Sequence, residues 1–190
     1  RKQSKGDVVR GMGIASGIHL SGAKVFADGD YSGAIIRVFE DGFVTLYKGS
    51  TDMGTWSNTT IAQIVAETLG VTFDKVRVIS MDTETTPTDS GSFASKVTFI
   101  HGNAAKKAAE KVREKLFRTV AWALEANMED LQVADGWIFV KGSLDKGMSY
   151  GEAVKKSDDL ICDFVSGEYH YDPPSELVNQ VTGVSNISAA

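Results

Sequence analysis

The sequence has 190 residues, of which 42% are hydrophobic and 24% charged, a composition typical of a soluble globular protein. No apolar run approaches the roughly 20 residues that a membrane-spanning helix needs, and the net charge of −5 argues against nucleic acid as the main partner, because phosphate binding needs clustered positive charge. The single cysteine, Cys162, excludes an internal disulfide, argues against a structural zinc site and predicts a reducing, cytoplasmic compartment.

The first predicted elements are strands. The stretch from Gly11 to Lys24 is rich in Gly, Ser and Ala, and we interpret it as a strand. Residues 33–40 alternate between two faces, as a half-buried strand does. Asp41-Gly42 then separates this run from the apolar residues 43–47. An Asp-Gly pair between two alternating runs predicts a hairpin with a type I′ turn.

A helix, a strand and a loop come next. Ser57-Asn58-Thr59 can cap a helix whose apolar residues follow helical spacing up to Leu69, and Gly70 suits its C-terminal end. Residues 76–79 have the composition of a short strand. The polar stretch 83–91 is rich in threonine and contains a proline, so it is predicted to be a loop.

The second half opens with the longest helical pattern, from about Val97 to Asn127. Asp135-Gly136 predicts a second hairpin, between residues 131–133 and 137–140. Ser149 with Glu152 three residues later predicts a capped short helix over 149–156. Residues 158–171 are predicted to be a pair of strands. Together these elements predict an α+β fold, with helices packed on an antiparallel or mixed sheet and residues 1–190 as a single domain.

Most of the reactive side chains have a structural interpretation. The histidines are scattered and are predicted to be surface or structural residues: His19, His101 and His170. Cys162 lies in an apparent strand, where a buried inert thiol is the expected state. Trp122 and Trp137 sit in apolar patterns and are predicted to belong to the core.

One acidic loop offers an alternative chemistry. Asp82, Glu84 and Asp89 share the loop before the long helix. They could form a catalytic carboxylate pair of an acid–base enzyme, which would require a raised pKa. The competing interpretation is that these loop acids are simply solvated.

Two further segments, residues 49–60 and 89–98, are loops rich in glycine and hydroxyl groups that each lead into a helix. Backbone N–H groups at a helix start are unpaired and attract anions. Two such starts in one small domain could hold one anionic ligand from two sides. The competing interpretation is that each is an ordinary helix cap.

Residues 33–109 closely resemble the large, molybdopterin-binding subunit of the molybdenum hydroxylases, the family of xanthine dehydrogenase and aldehyde oxidase. The resemblance rests on the order and spacing of several blocks besides the Asp41-Gly42 hairpin: Asp52–Trp56, Ile61–Gly70, Val76–Ile79, Gly91–Phe99 and Gly102–Ala104. Within the family, the sequence of these blocks is most similar to the aromatic acyl-CoA reductase branch, typified by 4-hydroxybenzoyl-CoA reductase.

The resemblance implies roles for both loops. The family's first loop usually reads Gly-Gln-Gly, with its Gln reaching the cofactor, whereas Gly54-Thr55-Trp56 stands here. Gly54 and Thr55 are therefore implied to contact molybdopterin, although Thr55 reaches less far than a Gln and Trp56 adds bulk. In the second loop, backbone amides and hydroxyls would contact the pterin and its phosphate or nucleotide tail, with Ala94 nearest the molybdenum. The implied second-loop contacts are Ser92, Phe93, Ala94, Ser95, Val97 and Thr98.

The resemblance also implies what lies outside this sequence. The family's catalytic Glu, iron–sulfur cysteines and flavin domain have no counterpart here. We therefore expect an internal piece of a longer oxidoreductase, inactive alone, whose partners are iron–sulfur and flavin subunits or domains. The parent would hydroxylate or reductively dehydroxylate an aromatic or aldehyde-type substrate, with an aromatic acyl-CoA among the aromatic candidates. The alternative is a non-catalytic binding or assembly module of the same fold that has lost the cofactor site.

Overall fold

The computed structural model describes residues 11–17, 22, 30–161, 164–174 and 181. In this part of the chain, seven strands and three α-helices form an α+β fold, as the sequence predicts. Residues 11–17 are exposed and form no strand. The prediction of a strand from Gly11 is therefore wrong for these residues, and residues 18–24 apart from Gly22 lie outside the described part.

The first hairpin joins β1 (Ser32–Val38) to β2 (Val44–Lys48), which pair antiparallel with Ile36 opposite Leu46. Its turn differs from the predicted type I′ turn. The Phe39 N–H donates to the carbonyl of Phe43, and Gly42 has a φ of 79°. The connection is therefore a three-residue loop that ends in a left-handed glycine.

The first sheet is mixed. β3 (Val76–Ser80) runs parallel to β2, and β7 (Ser166–Tyr171) runs antiparallel to β1, which gives the order β3-β2-β1-β7. The predicted strand pair over residues 158–171 is correct only in its second half. Residues 158–161 continue a helix, because the apolar positions there follow its spacing rather than alternation.

Two helices pack on one face of this sheet: α1 (Ser57–Leu69) and α2 (Val97–Ala123). Small residues bring α2 close to the strands. A Cβ added to Gly167 of β7 would lie 2.4 Å from the carbonyl oxygen of Ala108. α2 ends before the predicted Asn127, because Glu125 adopts a left-handed conformation with a φ of 49°.

A second sheet contains β4 (Leu131–Ala134), β5 (Trp137–Val140) and β6 (Ser143–Ser149) in that order. Asp135 and Gly136 both have positive φ, so the predicted type I′ hairpin is confirmed. The sequence reasoning missed β6, whose residues Ser-Leu-Asp-Lys-Gly-Met-Ser lack an apolar alternation.

The third helix, α3 (Tyr150–Ile161), begins with the predicted capping box. The Ser149 N–H donates to Glu152 at 2.8 Å, and the Glu152 N–H donates to the Ser149 hydroxyl at 3.2 Å. Tyr150 is buried, and its hydroxyl donates to the carbonyl of Leu69 at the end of α1. This bond attaches the second sheet and α3 to the helical layer.

Two tryptophans correct the predicted core. Trp122 is 65% exposed and Trp137 is 38% exposed, so neither belongs to the core. Their apolar neighbours gave the misleading pattern. Across the described ranges, no helix is both long enough and apolar enough to cross a membrane.

Candidate functional site

The first loop (residues 49–56) ends at α1 and is closed by the carboxylate of Asp52. Oδ1 accepts hydrogen bonds from the N–H groups of Gly54 at 3.0 Å and Trp56 at 3.1 Å, and Oδ2 accepts one from Asn58 at 3.1 Å. These bonds, the one from Asn58 foremost, lower the pKa of Asp52. The amides of Gly54, Trp56 and Asn58 are therefore bound internally by Asp52 and are not available to an external anion.

The cap of α1 also differs from the predicted one. The residue before the helix is Trp56, with a left-handed φ of 58°, and it makes no side-chain capping bond. Ser57 lies inside the helix and is buried. The carboxylate of Asp52 thus caps α1, a role that the sequence predicted for Ser57-Asn58-Thr59.

The second loop (residues 91–96) lies beside the first loop. Ser92 connects them, since its hydroxyl accepts a hydrogen bond from the Thr51 N–H at 3.0 Å and donates one to the Thr51 carbonyl at 2.8 Å. The two segments that the sequence singled out are therefore in direct contact. This arrangement allows both loops to face one ligand.

The second loop has a left-handed backbone at its tip. Ala94 and Ser95 have φ angles of 52° and 51°, and the Ala94 carbonyl accepts a hydrogen bond from the Gly22 N–H at 2.8 Å. Phe93 is 49% exposed, and the Lys96 ammonium lies 3.9 Å from its ring centroid. The loop therefore presents a ring, a small side chain and a hydroxyl in succession.

The start of α2 keeps its donors free within the described part of the chain. No hydrogen bond to another described residue is formed there by the amides of Ser95, Val97 and Thr98, nor by the exposed hydroxyls of Ser95 and Thr98. The residue before α2, Lys96, supplies no side-chain cap. This donor set fits the phosphate and other anionic oxygens of a pterin cofactor.

Buried polar contacts hold the second loop from below. Lys96 pairs with Asp30 at 3.3 Å and donates to the Ser90 hydroxyl at 2.6 Å. The Ser90 hydroxyl in turn donates to the Tyr31 carbonyl at 3.0 Å. Lys96 and Asp30 are both buried, so the loop's base is fixed to the start of β1.

His101 of α2 is a buried structural residue, in agreement with the sequence. Its Nε2 lies 2.5 Å from the Ser32 hydroxyl, and its Nδ1 lies 3.4 Å from the Asp89 carboxylate. Burial lowers its pKa, and the neighbouring Lys48 and Lys96 act in the same direction while Asp89 opposes them. The ring is therefore neutral at pH 7.

The other predicted side chains are separate from this site. His170 is exposed, with its ring centroid 5.3 Å from that of Tyr31. His19 and Cys162 lie outside the described residues.

The acidic loop does not form a catalytic carboxylate pair. Asp82 accepts a hydrogen bond from the Glu84 N–H at 2.9 Å, and that bond lowers its pKa. Asp89 instead accepts from the Gly91 N–H at 2.8 Å and contacts His101. A lowered carboxylate pKa is the opposite of what acid catalysis near neutral pH requires, so this alternative is not supported.

Sequence reasoning missed two features of the site. A groove of about 850 Å³ runs between α1 and α2, and its lining includes the hydroxyl-bearing residues Thr60, Thr68 and Thr98. Lys48 is completely buried beneath the first loop. The alternation of Val44, Leu46 and Lys48 already places this lysine on the inner face of β2, whereas no sequence signal marks the groove.

The chain matches the family model of the molybdopterin cofactor-binding domain over residues 1–183. It is 33% identical over 138 residues to the xanthine dehydrogenase molybdenum-binding subunit of Escherichia coli O157:H7, covering 72% of this chain and 18% of that protein. It is also 34% identical over 148 residues to the 6-hydroxypseudooxynicotine dehydrogenase complex subunit gamma of Paenarthrobacter nicotinovorans, covering 78% of this chain and 18% of that protein.

The fold is similar to solved structures as well. It superimposes on quinoline 2-oxidoreductase from Pseudomonas putida 86 with a TM-score of 0.68 and 29% identity, over 78% of this chain and 20% of that one. The chain thus spans about a fifth of the length of the proteins it matches. With the family model matched over nearly its whole length, the chain belongs to the family of molybdopterin cofactor-binding domains.

Proposed function

We propose that this chain is part of the molybdopterin-binding region of a molybdenum-dependent oxidoreductase, and that the second loop contacts an anionic part of the cofactor. The observation that carries this proposal is the set of free amides and hydroxyls where α2 begins. Family membership supports it independently. Hydrogen bonds to charged oxygens are the stronger ones, so a few well-placed donors suffice to orient the cofactor.

Each second-loop residue has a distinct task in this proposal. Ser95 and Thr98 donate hydroxyl hydrogen bonds, and the amide of Val97 adds a backbone donor. Ala94 keeps the space nearest the metal clear, because its side chain is a single methyl group. Phe93 offers half-exposed apolar surface beside the pterin. The Ser92 hydroxyl is engaged with the backbone of Thr51, so its proposed role is to keep the two loops together rather than to bind the cofactor directly.

The first loop has a smaller share. The Gly54 N–H is already bound by Asp52, so a cofactor contact by Gly54 uses its exposed Cα or carbonyl. The hydroxyl of Thr55 is exposed and remains a donor. The neighbouring Trp56 is 73% exposed, and its ring narrows the space through which the cofactor would reach Thr55.

The chemistry of the parent follows from the cofactor, which when bound supplies redox and oxygen-transfer reactivity with water as the oxygen source or sink. This chain's residues bind and orient it and exclude water from its anionic end. We propose a small aromatic or aldehyde-type substrate, with an aromatic acyl-CoA as the finer proposal. We also propose that the parent protein works with iron–sulfur and flavin subunits or domains and is located in the cytoplasm. The existence of partner subunits is supported by one relative, which is named as the gamma subunit of the 6-hydroxypseudooxynicotine dehydrogenase complex.

A second candidate is a binding or assembly module that has lost the cofactor site. The closure of the first loop by Asp52, together with Thr55 and Trp56 in the place of the usual residues, favours it. Acid extraction of the native full-length protein separates the candidates. Pterin at about one equivalent per chain is expected from the first proposal, and its absence from the second.

The donors themselves are tested in the full-length protein by replacing Ser95→Ala and Thr98→Ala. Each change removes one charge-assisted hydrogen bond, worth roughly 1.5–3 kcal/mol, or about 10- to 150-fold in cofactor affinity. Pterin and molybdenum retained during dialysis are measured, with Ser143→Ala in β6 as the matched control. Retention equal to that of the control in both variants would contradict the proposed contacts.

A further inference from the structure

Lys48 is a fully buried lysine at the end of β2, with 0% of its surface exposed. Its ammonium donates to the Ser50 carbonyl and the Ser50 hydroxyl, both at 2.9 Å, and lies 3.4 Å from the Ser57 hydroxyl. Three acceptors thus match its three N–H groups. Lysine is rarely buried completely, because an unpaired buried charge is very unfavourable. The chain therefore keeps a charge here that an apolar residue could replace.

The three acceptors lie at the two ends of the first loop. Ser50 is next to its start, and Ser57 is the first residue of α1. Between them, Thr51 is the residue that Ser92 of the second loop binds. One ammonium thus connects both ends of the first loop directly beneath the point where the two loops meet.

Lys48 also interacts with the charged groups that anchor both loops. Asp52, which closes the first loop, and Asp89, which binds the second through the Gly91 N–H, both stabilise its charge. Burial is the larger effect and lowers the pKa of Lys48 to about 8. At pH 7 the side chain remains mostly protonated, so it acts as a cation under the cleft.

We propose that Lys48 is a positioning residue for the cofactor. Its ammonium holds Ser50 and Ser57 together, so that Thr51 stays within reach of Ser92 and the two loops face the same ligand. An apolar side chain of equal length would fill the space without ordering the loop, because it has no donors. The ligand in this inference rests on the proposed function, whereas the ordering of the loop does not.

The test uses Lys48→Met, Lys48→Gln and the matched control Lys146→Met, an exposed lysine of β6, in the full-length protein. Amide hydrogen exchange is measured by mass spectrometry for residues 50–58, 91–96 and the core of α2. In Lys48→Met we expect exchange in both loops to accelerate by about 10-fold, since several hydrogen bonds are lost. Lys48→Gln keeps two donors and is expected to have a smaller effect. The α2 core and the control should match wild type.

Cofactor content is measured on the same samples as pterin and molybdenum per chain. Faster loop exchange together with lower retention is the expected result. Unchanged loop exchange overturns the role of Lys48, whatever happens to the cofactor. Faster exchange with full retention overturns the link between Lys48 and the cofactor. Absence of pterin from the wild-type full-length protein would overturn the proposed function itself, while faster loop exchange in Lys48→Met would still support the ordering role of Lys48. Should Lys48→Met not fold, Lys48→Gln gives the same decision.

Discussion

The starts of α1 and α2 have similar compositions but opposite chemistry. Before α1, the carboxylate of Asp52 accepts hydrogen bonds from the amides of Gly54, Trp56 and Asn58, so these three amides are not available to an external anion. Before α2, the amides and hydroxyls of Ser95 and Thr98 have no partner among the described residues. A single acidic side chain within reach therefore decides whether a glycine- and hydroxyl-rich loop is an internal cap or a binding element.

The two loops are also held in different ways. The second loop is fixed from below by Lys96 with Asp30 and by Asp89 with His101. The first loop is held from that side by the three hydrogen bonds of the Lys48 ammonium. A loop with an anchored base and free donors at its tip is suited to bind a ligand without reorganising, and this lowers the entropic cost of binding.

The largest expected effect distinguishes a cofactor-facing alanine from a core alanine. Ala94→Leu in the full-length protein should abolish most cofactor retention and leave stability nearly unchanged, because it fills the space assigned to the cofactor. Ala108→Leu should instead cost about 1–3 kcal/mol of stability, since this alanine is fully buried and its backbone lies against Gly167 of β7. Denaturant unfolding and molybdenum content are measured for both. If Ala94→Leu destabilises as much as Ala108→Leu and keeps the cofactor, Ala94 belongs to the core.

The anchor of the second loop should respond to acid through His101. Its folded-state pKa is lowered below the ordinary 6.5, so the unfolded chain binds more protons than the folded one below that pH. Stability is therefore expected to fall as pH drops below 6.5, by at most about 1.4 kcal/mol per pH unit. Urea unfolding at pH 7.5 and 5.5 measures it. Between these pH values, the free energy of unfolding of His101→Gln should fall less than that of the wild type. An equal fall in the two proteins would assign the pH dependence to other groups.

Removing the Asp52 carboxylate would leave the first loop with unbound backbone amides, as the second loop has. Asp52→Ala frees the amides of Gly54, Trp56 and Asn58, and we expect the melting temperature to fall by several degrees, because the start of α1 loses its cap. Asp52→Asn should lose less, since it retains one oxygen acceptor. Asp145→Ala, an exposed acid of β6, is the control. A melting temperature equal to the control's would show that Asp52 does not hold α1.

The smallest expected effect concerns backbone conformation. Trp56 has a left-handed φ of 58° and is largely exposed. Trp56→Gly relieves that conformation and should raise stability by about 0.5–1 kcal/mol. Ala94→Gly, at a φ of 52°, should give a similar gain, because both residues adopt the same region. Thermal unfolding measures both changes, and a loss of stability in Trp56→Gly would mean that the exposed ring packs against the loop.

The sequence alone determined the elements whose signals are local. The alternation in β1 and β2, the spacing in α1 and α2, the type I′ turn at Asp135-Gly136 and the capping box at Ser149 each depend on neighbouring residues only. Resemblance to a family added the cofactor. The errors arose where a local pattern was assigned the wrong period, as in residues 158–161 of α3, or where an exposed residue has apolar neighbours, as Trp122 does.

Only the tertiary structure decided how the site is assembled. The parallel pairing of β3 with β2 and the contact between Ser92 and Thr51 join residues far apart in the chain, so no local pattern encodes them. Which amides Asp52 takes, and which acceptors surround Lys48, depend on the path of the loop between them. A hydrogen bond requires distance and direction as well as residue type, and those are fixed only when the helices pack against the sheet.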